Sequence, residues 1–278
     1  MASLSTQKLN QYYDDYRKTE IAFNKSIIKA LGLETRNIFL KIKGDPWPCV
    51  LYSCSMAQAK IIINLDTSGF EEIKRAKNFV NLRLAFFPSD AKSSIYFFVP
   101  SVVKGYSVFN IKSTERSSFL MTIEFTQKPP DDLIEILGKV IESNENFKKR
   151  QSLRINLDGK VVTDIGLSTN KIIAEIDNIK RACILKNISA NGVMVIMSCI
   201  PKFIMKKKCY INILIQDSSE PLVIEGTVVR YEEVTDRKDI YGIGVEFVPE
   251  KVPFEYKDLI NKYIDKLEEM AKHDKIKR

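Results

Sequence analysis

A chain of 278 residues with 45% hydrophobic and 28% charged residues has an ordinary globular composition and is long enough for two domains, each with its own core. Its formal charge of +8 is evenly shared, +4 in residues 1–143 (19 Lys+Arg against 15 Asp+Glu) and +4 in residues 144–278 (24 against 20), so neither half is a dedicated basic nucleic-acid domain. The N-terminus meets charge too soon for a signal peptide, and uncharged stretches such as 93–103 and 187–201 fall short of the roughly 18 apolar residues of a membrane helix. A cytoplasmic protein without a membrane span is therefore expected. The five cysteines form no CxxC pair and the single histidine, His273, sits near the charged C-terminus, a pattern for reduced, buried thiols and no metal site.

In chain order, apolar residues at three-to-four spacing from Leu9 to Leu31, ended by Gly32, predict one helix over 5–31. From residue 37 to 125 the pattern turns to short strand-like runs: IFLKIKG, PCVLYSC, AKIIINL, NLRLAFF, IYFFVP, YSVFNI and FLMTIEF. Turn signals at Gly44-Asp45-Pro46, Thr67-Ser68-Gly69 and Pro88-Ser89-Asp90 separate them, as in an antiparallel barrel or sandwich. A helix follows from about Leu133 to Ile141, with Asp131 and Asp132 at its positive end. The polar ESNENF then leads to the basic stretch KKRQSLR, where the domain boundary is placed.

The second half repeats the scheme. RINLDGKVV, IIAEI, RACILKNIS, GVMVIMS, KCYINILIQ, PLVIEGTVVRYEEV and YGIGVEFV read as strands, and 256–272 reads as a helix. TIEFTQKPPDDLIEIL in the first half matches GVEFVPEKVPFEYKDLINKYI in the second, each with Glu-Phe closing a strand, a proline, then Asp-Leu-Ile opening a helix. The expected fold is mainly β with flanking helices: two tandem antiparallel β-barrels, each followed by a helix, plus an N-terminal helix. The expected domains are 1–143, a basic linker 144–154, and 155–278.

Two short motifs carry the chemistry. Arg150 and Arg154 are four apart, and about thirty residues on comes NISANG with Asn187, Ser189, Asn191 and Gly192. An arginine fork binds phosphate bidentately and can stack on a purine, and residues at i and i+4 share a side of a strand or helix. The Asn187 amide can bond a guanine edge, and Ser189 can donate to a phosphate or base. Gly192 is expected to let the turn adopt positive φ and bring the backbone close to a ligand. This pairing resembles the RxxxR and (D/N)xSxxG signatures of PilZ domains, and Gly244-Val245-Glu246-Phe247 resembles their closing strand. The resemblance covers about 147–272. It implies cyclic di-GMP as ligand, held by Arg150, Arg154, Asn187, Ser189 and Gly192, with Lys149 and Asn191 alongside. Lys149 stands where the family often has arginine or a hydrophobic residue, which leaves one or two ligands per site open. The first half lacks both motifs and resembles a degenerate PilZ-like partner domain.

With no GxSxG, Walker loop or helix-opening GxGxxG, no enzyme activity and no cofactor are expected. The leading reading is a cytoplasmic bacterial cyclic di-GMP receptor. Lys148, Lys149, Arg150 and Arg154 repel one another in the empty protein, and neutralisation by ligand re-orients the domains toward a downstream protein partner, reached through the N-terminal domain, in motility, envelope or virulence control. The alternatives are a nucleic-acid-binding regulator using Lys206, Lys207, Lys208 and the tail from Lys272, and a structural interaction protein of a motility machine.

Overall fold

The computed structural model describes residues 4–88, 92–109, 118–150, 153–168, 172–216, 218, 220–234 and 237–276, the side chains of 238 and 271–276 excepted. Residues 89–90 of the expected turn at 88–90, the 151–152 part of the basic stretch and the side chains of the C-terminal tail lie outside these residues. The chain divides into two compact units, Met1–Glu142 and Ser143–Arg278.

The first unit opens with α1 (Thr6–Tyr16), β1 (Ile21–Ala22) and α2 (Lys25–Leu31). The single helix expected over 5–31 is thus broken. Ile21 and Ala22 pair with the far end of a strand at Cys54 and Ser53, and Asn24 caps a new helix by accepting from the Ile27 amide. Tertiary pairing and a cap override a continuous helical pattern here. Next come β2 (Phe39–Ile42), β3 (Asp45–Cys54), β4 (Gln58–Asn64), α3 (Thr67–Arg75), β5 (Phe79–Phe86), β6 (Ile95–Phe109) and β7 (Ser118–Phe125). The expected Thr67-Ser68-Gly69 turn is the first turn of α3, because the Asp66 side chain accepts from the Gly69 amide. IYFFVP and the YSVF part of YSVFNI, the rest of which lies outside the described residues, merge into the one strand β6, with a register shift between Val103 and Gly105 that absorbs the break.

Six strands close into an antiparallel barrel in the order β3, β2, β5, β6, β7, β4, the last pairing back with β3. Its interior holds Leu40, Ile42, Leu51, Ile61, Ile63, Leu82, Leu84 and Met121, all essentially inaccessible. Next is α4 (Asp131–Lys149), whose acidic first turn suits the helix dipole. Leu133, Ile134 and Leu137 of α4 are fully buried, and Gly138 makes room for the Tyr12 ring: a Cβ there would meet Tyr12 at 2.1 Å. Helix α4 runs eight residues past the expected end at Ile141, so ESNENF is helical rather than an open lead-in to the basic stretch.

The second unit contains β8 (Arg154–Asn156), α5 (Gly159–Ile165), β9 (Ile173–Ile176), β10 (Ile179–Ala182), β11 (Ile184–Ser189), β12 (Gly192–Ser198), α6 (Pro201–Ile204), β13 (Lys208–Ile213), β14 (Leu222–Val234), β15 (Arg237–Phe247) and α7 (Phe254–Ile276). RINLDGKVV is not one strand. Asp158 accepts from the Val161 amide and starts α5, leaving three residues to β8. Asp258 does not open the last helix, which starts four residues earlier at Phe254. The eight strands form one antiparallel sheet in the order β10, β9, β13, β14, β15, β12, β11, β8. It encloses Val195, Cys209, Ile211, Ile213, Ile224, Val228 and Ile243, with Tyr256, Ile260 and Ile264 of α7 and Phe147 of α4 in the same core. Burial raises the Cys49, Cys54 and Cys209 thiols to about 12 and Cys183 to about 11, so these are packing residues with no thiolate to react. No helix among the described residues is long and apolar enough to cross a membrane.

Candidate functional site

The short strand β8 lies antiparallel to β11 with Arg154 opposite Ser189, Ile155 opposite Ile188 and Asn156 opposite Asn187. Ile155 and Ile188 are buried in the core, so the period-2 alternation turns Arg154, Ser189 and Asn187 to the outer face. NISANG is accordingly not one turn. Asn187 and Ser189 end β11, Gly192 opens β12, and only Ala190 and Asn191 connect them.

Three bonds fix this corner. The Ser189 hydroxyl donates to the Gly192 carbonyl at 3.0 Å, the Phe247 amide donates to the Asn191 carbonyl at 2.8 Å, and the Tyr256 hydroxyl donates to the Ser189 carbonyl at 2.8 Å. Tyr256 is buried edge-on against Phe147 and Phe247, and that burial raises its phenol far above the ordinary range, keeping it a neutral donor.

Gly192 is a correction to the sequence reading. Its φ is not in the left-handed region; the positive-φ glycines among the described residues are Gly32, Gly44 and Gly166. The missing Cβ serves the crossing of β15 instead, since a Cβ there would stand 2.2 Å from the Val245 carbonyl oxygen.

A cavity of about 490 Å³ opens on this face, lined by Arg154, Asn187, Ser189, Asn191 and Gly192 together with Val193, Val229, Arg230, Gly244, Val245 and Glu246. That volume lies within the roughly 300–1,000 Å³ of small-ligand sites. Neither Arg154 nor Arg230 is ion-paired among the described residues, so two guanidiniums face one pocket against the single carboxylate of Glu246.

Arg230 escaped the sequence reading. The register between β14 and β15 shifts between Val228 and Arg230, and the extra residue leaves both Val229 and Arg230 on the exposed side. Opposite it, Gly244 has no side chain because Arg230 lies over it: a Cβ would meet Arg230 Cγ at 2.6 Å. Gly242 makes the same room for Glu232, whose carboxyl is held below its usual range by Lys186. Two glycines at period 2 inside a strand were the available signal.

Arg150 and Lys149 are not among the pocket's lining residues. Lys149 is the exposed last residue of α4, whereas the Arg150 side chain is largely buried and turned to α7. Its guanidinium donates to Asp265 at 2.6 Å and to the backbone and side-chain oxygens of Asn261 at 3.3 Å each, with Glu268 at 3.5 Å. Asn261 in turn donates to the Ser143 carbonyl at 2.7 Å. Lys148 pairs with Glu145 at 2.8 Å. The expected mutual repulsion of four cations is therefore corrected: Lys148 and Arg150 are already neutralised by carboxylates.

Residues 7–144 match the PilZN3 domain and residues 148–266 match the PilZ domain. A protein of Treponema denticola named "Cyclic di-GMP binding protein" is 33% identical over 263 residues, 95% of this chain and 83% of the relative. Solved structures that resemble the chain include the Borreliella burgdorferi PlzA protein in complex with c-di-GMP, at 24% identity over 94% of this chain and 99% of that one, with a TM-score of 0.44. The K. pneumonia MrkH–c-di-GMP complex is similar at 13% identity over 97% of each chain, with a TM-score of 0.31. The chain belongs to the PilZ family, with a PilZN3 domain followed by a PilZ domain.

Proposed function

We propose that this chain is a cyclic di-GMP receptor, a binder rather than an enzyme, whose ligand occupies the pocket beside β8 and the β11–β12 corner. One observation supports it above the others: Arg154 and four residues of NISANG, about thirty positions apart, converge on one cavity that Arg230 also lines. The ligand offers two phosphates and two guanine faces. Arg154 and Arg230 suit phosphate or the O6/N7 edge of guanine, and Asn187 suits a base edge. Ser189 spends its proton on Gly192 and accepts through its remaining lone pair, while Asn191 stands at the rim. Charge-assisted bonds of about 1.5–3 kcal/mol each give micromolar binding or tighter after association costs.

Lys149 and Arg150 enter this reading as mobile recruits. Arg150 reaches the ligand by leaving Asp265 and Glu268, so the phosphates compete with carboxylates of α7 for one guanidinium. Asp265 and Glu268 are 52% and 56% exposed, and this solvent screening holds each pair near the roughly 0–1 kcal/mol of surface pairs although Arg150 itself is largely buried, so Asp265→Asn with Glu268→Gln is expected to tighten cyclic di-GMP binding up to about fivefold. Calorimetry on the double variant checks this, and weaker binding would contradict the competition. Movement of this segment is the step by which binding re-orients the two domains and regulates a downstream partner, met through the first domain. Small-angle scattering profiles that superpose with and without cyclic di-GMP would refute the re-orientation.

The free thiols fit action in a reducing cytoplasm. The nucleic-acid reading through Lys206, Lys207 and Lys208 is disfavoured by pairing: Lys207 meets Asp177 at 2.9 Å and Lys208 meets Glu225 at 3.0 Å. Titration of the intact protein with cyclic di-GMP at low and high salt tests the receptor reading. Saturable binding with modest salt dependence is expected, and absence of saturable binding refutes it.

A further inference from the structure

The pocket beside β8 holds one charged group that neither motif names and that phosphate binding alone does not call for. Glu246 stands on β15 between the buried Val245 and Phe247, so alternation turns it to the outer face. It is opposite Gly192 of β12, Ser189 bonds across to the Gly192 carbonyl at 3.0 Å, and Arg154 of β8 is opposite Ser189. One cross-strand row therefore runs Arg154, Ser189, Gly192, Glu246. Strands lie about 4.8 Å apart, so the charged ends of the row are roughly 14 Å apart at the backbone. Between them lie only a serine, its hydroxyl already bonded, and a glycine, so no bulky side chain blocks the row.

The two ends are opposite in sign, yet they do not neutralise each other. Glu246 is exposed and makes no ion pair or side-chain hydrogen bond among the described residues, and Arg230, opposite Gly244 in the next row, does not pair with it. A carboxylate here opposes a phosphate by charge, and when ionised it can only accept hydrogen bonds. It suits a ligand edge of adjacent N–H donors, held one nucleotide's length from the phosphate that Arg154 takes. The Watson–Crick edge of guanine is such an edge: N1–H and N2–H point the same way and meet the two oxygens of one carboxylate. Adenine puts its unprotonated N1 there, lone pair against lone pair, beside a single N6–H donor. The Asn187 amide is donor and acceptor at once, so it suits either purine and cannot make this distinction.

We propose, resting on the receptor reading above, that Glu246 is the specificity-determining residue of the pocket: it accepts from N1–H and N2–H of one guanine and so selects cyclic di-GMP against cyclic di-AMP. Arg154 then holds the phosphate at the other end of the row, and the unpaired carboxylate makes a guanine obligatory at this end.

Calorimetry of the full chain with each of these two ligands, on wild type, Glu246→Ala and Glu246→Gln, tests it. Wild type is expected to prefer cyclic di-GMP by about a hundredfold, the discrimination of one good bidentate base contact. Glu246→Ala is expected to weaken cyclic di-GMP about tenfold and to leave cyclic di-AMP equal or tighter. Glu246→Gln is expected to bind cyclic di-AMP more tightly than either, because a glutamine amide accepts from N6–H and donates to N1. Thermal melts of both variants should match wild type, since the side chain is exposed and unpaired among the described residues. If Glu246 only repels phosphate, Glu246→Ala tightens both ligands by the same factor; if it is solvated surface, neither affinity moves. Either result, with wild type still binding cyclic di-GMP, overturns the proposal and leaves the receptor reading standing, whereas saturable binding of neither ligand by wild type overturns both.

Discussion

Gly192→Ala is expected to cost the second unit about 3 kcal/mol, the upper part of the range for overpacking a filled site. The new methyl would meet the Val245 carbonyl oxygen, a backbone atom inside the β12–β15 ladder that cannot swing away as a side chain would. Relief requires the two strands to part at the corner where the Asn191 carbonyl receives the Phe247 amide. Domain stabilities are about 5–15 kcal/mol, so the loss is a large fraction of the total, and a thermal melt should fall by roughly 10 °C. Gly244→Ala separates fold from site. Its Cβ would collide with Arg230 Cγ, the stem of a flexible side chain, so the melt should move by less than about 1 kcal/mol while cyclic di-GMP affinity falls as Arg230 is pushed from the pocket. A Gly192→Ala melt indistinguishable from wild type would contradict the close crossing of β12 and β15.

Arg154→Ala is expected to weaken cyclic di-GMP binding at least thirtyfold, about 2 kcal/mol, with little change in stability. The side chain is exposed and makes no ion pair among the described residues, so the empty protein loses almost nothing with it. Arg154→Lys should recover only a small part, since an ammonium has neither the fork nor the flat face. Arg150→Ala should be milder than Arg154→Ala. In the empty protein Arg150 is satisfied by Asp265, Glu268 and Asn261, and whatever it gains from the ligand is offset by what it gives up. Calorimetry on the three variants checks the ordering.

The sequence was most legible where periodicity and turn chemistry act locally. The alternation in NLRLAFF and FLMTIEF predicts β5 and β7, and the Pro-Pro-Asp-Asp start predicts α4. It was least legible where a partner distant in the chain decides. Ile21 joins β3 instead of continuing a helix, because Cys54 and Ser53 offer it a strand edge. Asp66 and Asp158 each turn an expected turn or strand into a short helix through one cap bond, a signal present in the sequence but outweighed by flanking apolar residues. Within the site, the two motifs name residues but not directions. Arg150 and Arg154 are four apart, yet a helix end and a strand start send them to different neighbours, and the partners of Arg150 look in sequence only like charges on a helix surface. Arg230 is invisible without the bulge that exposes it.

Cyclic di-GMP bound between Arg154, Arg230 and the β11–β12 corner would leave a defined footprint in amide NMR of the full chain during a titration with that ligand. The largest perturbations are expected at Arg154, Asn187, Ser189, Asn191, Gly192 and Gly244, with Arg150 and Asp265 shifting at the same ligand concentration. Perturbations confined to other residues, with these amides unmoved at saturation, would contradict the assignment of the pocket.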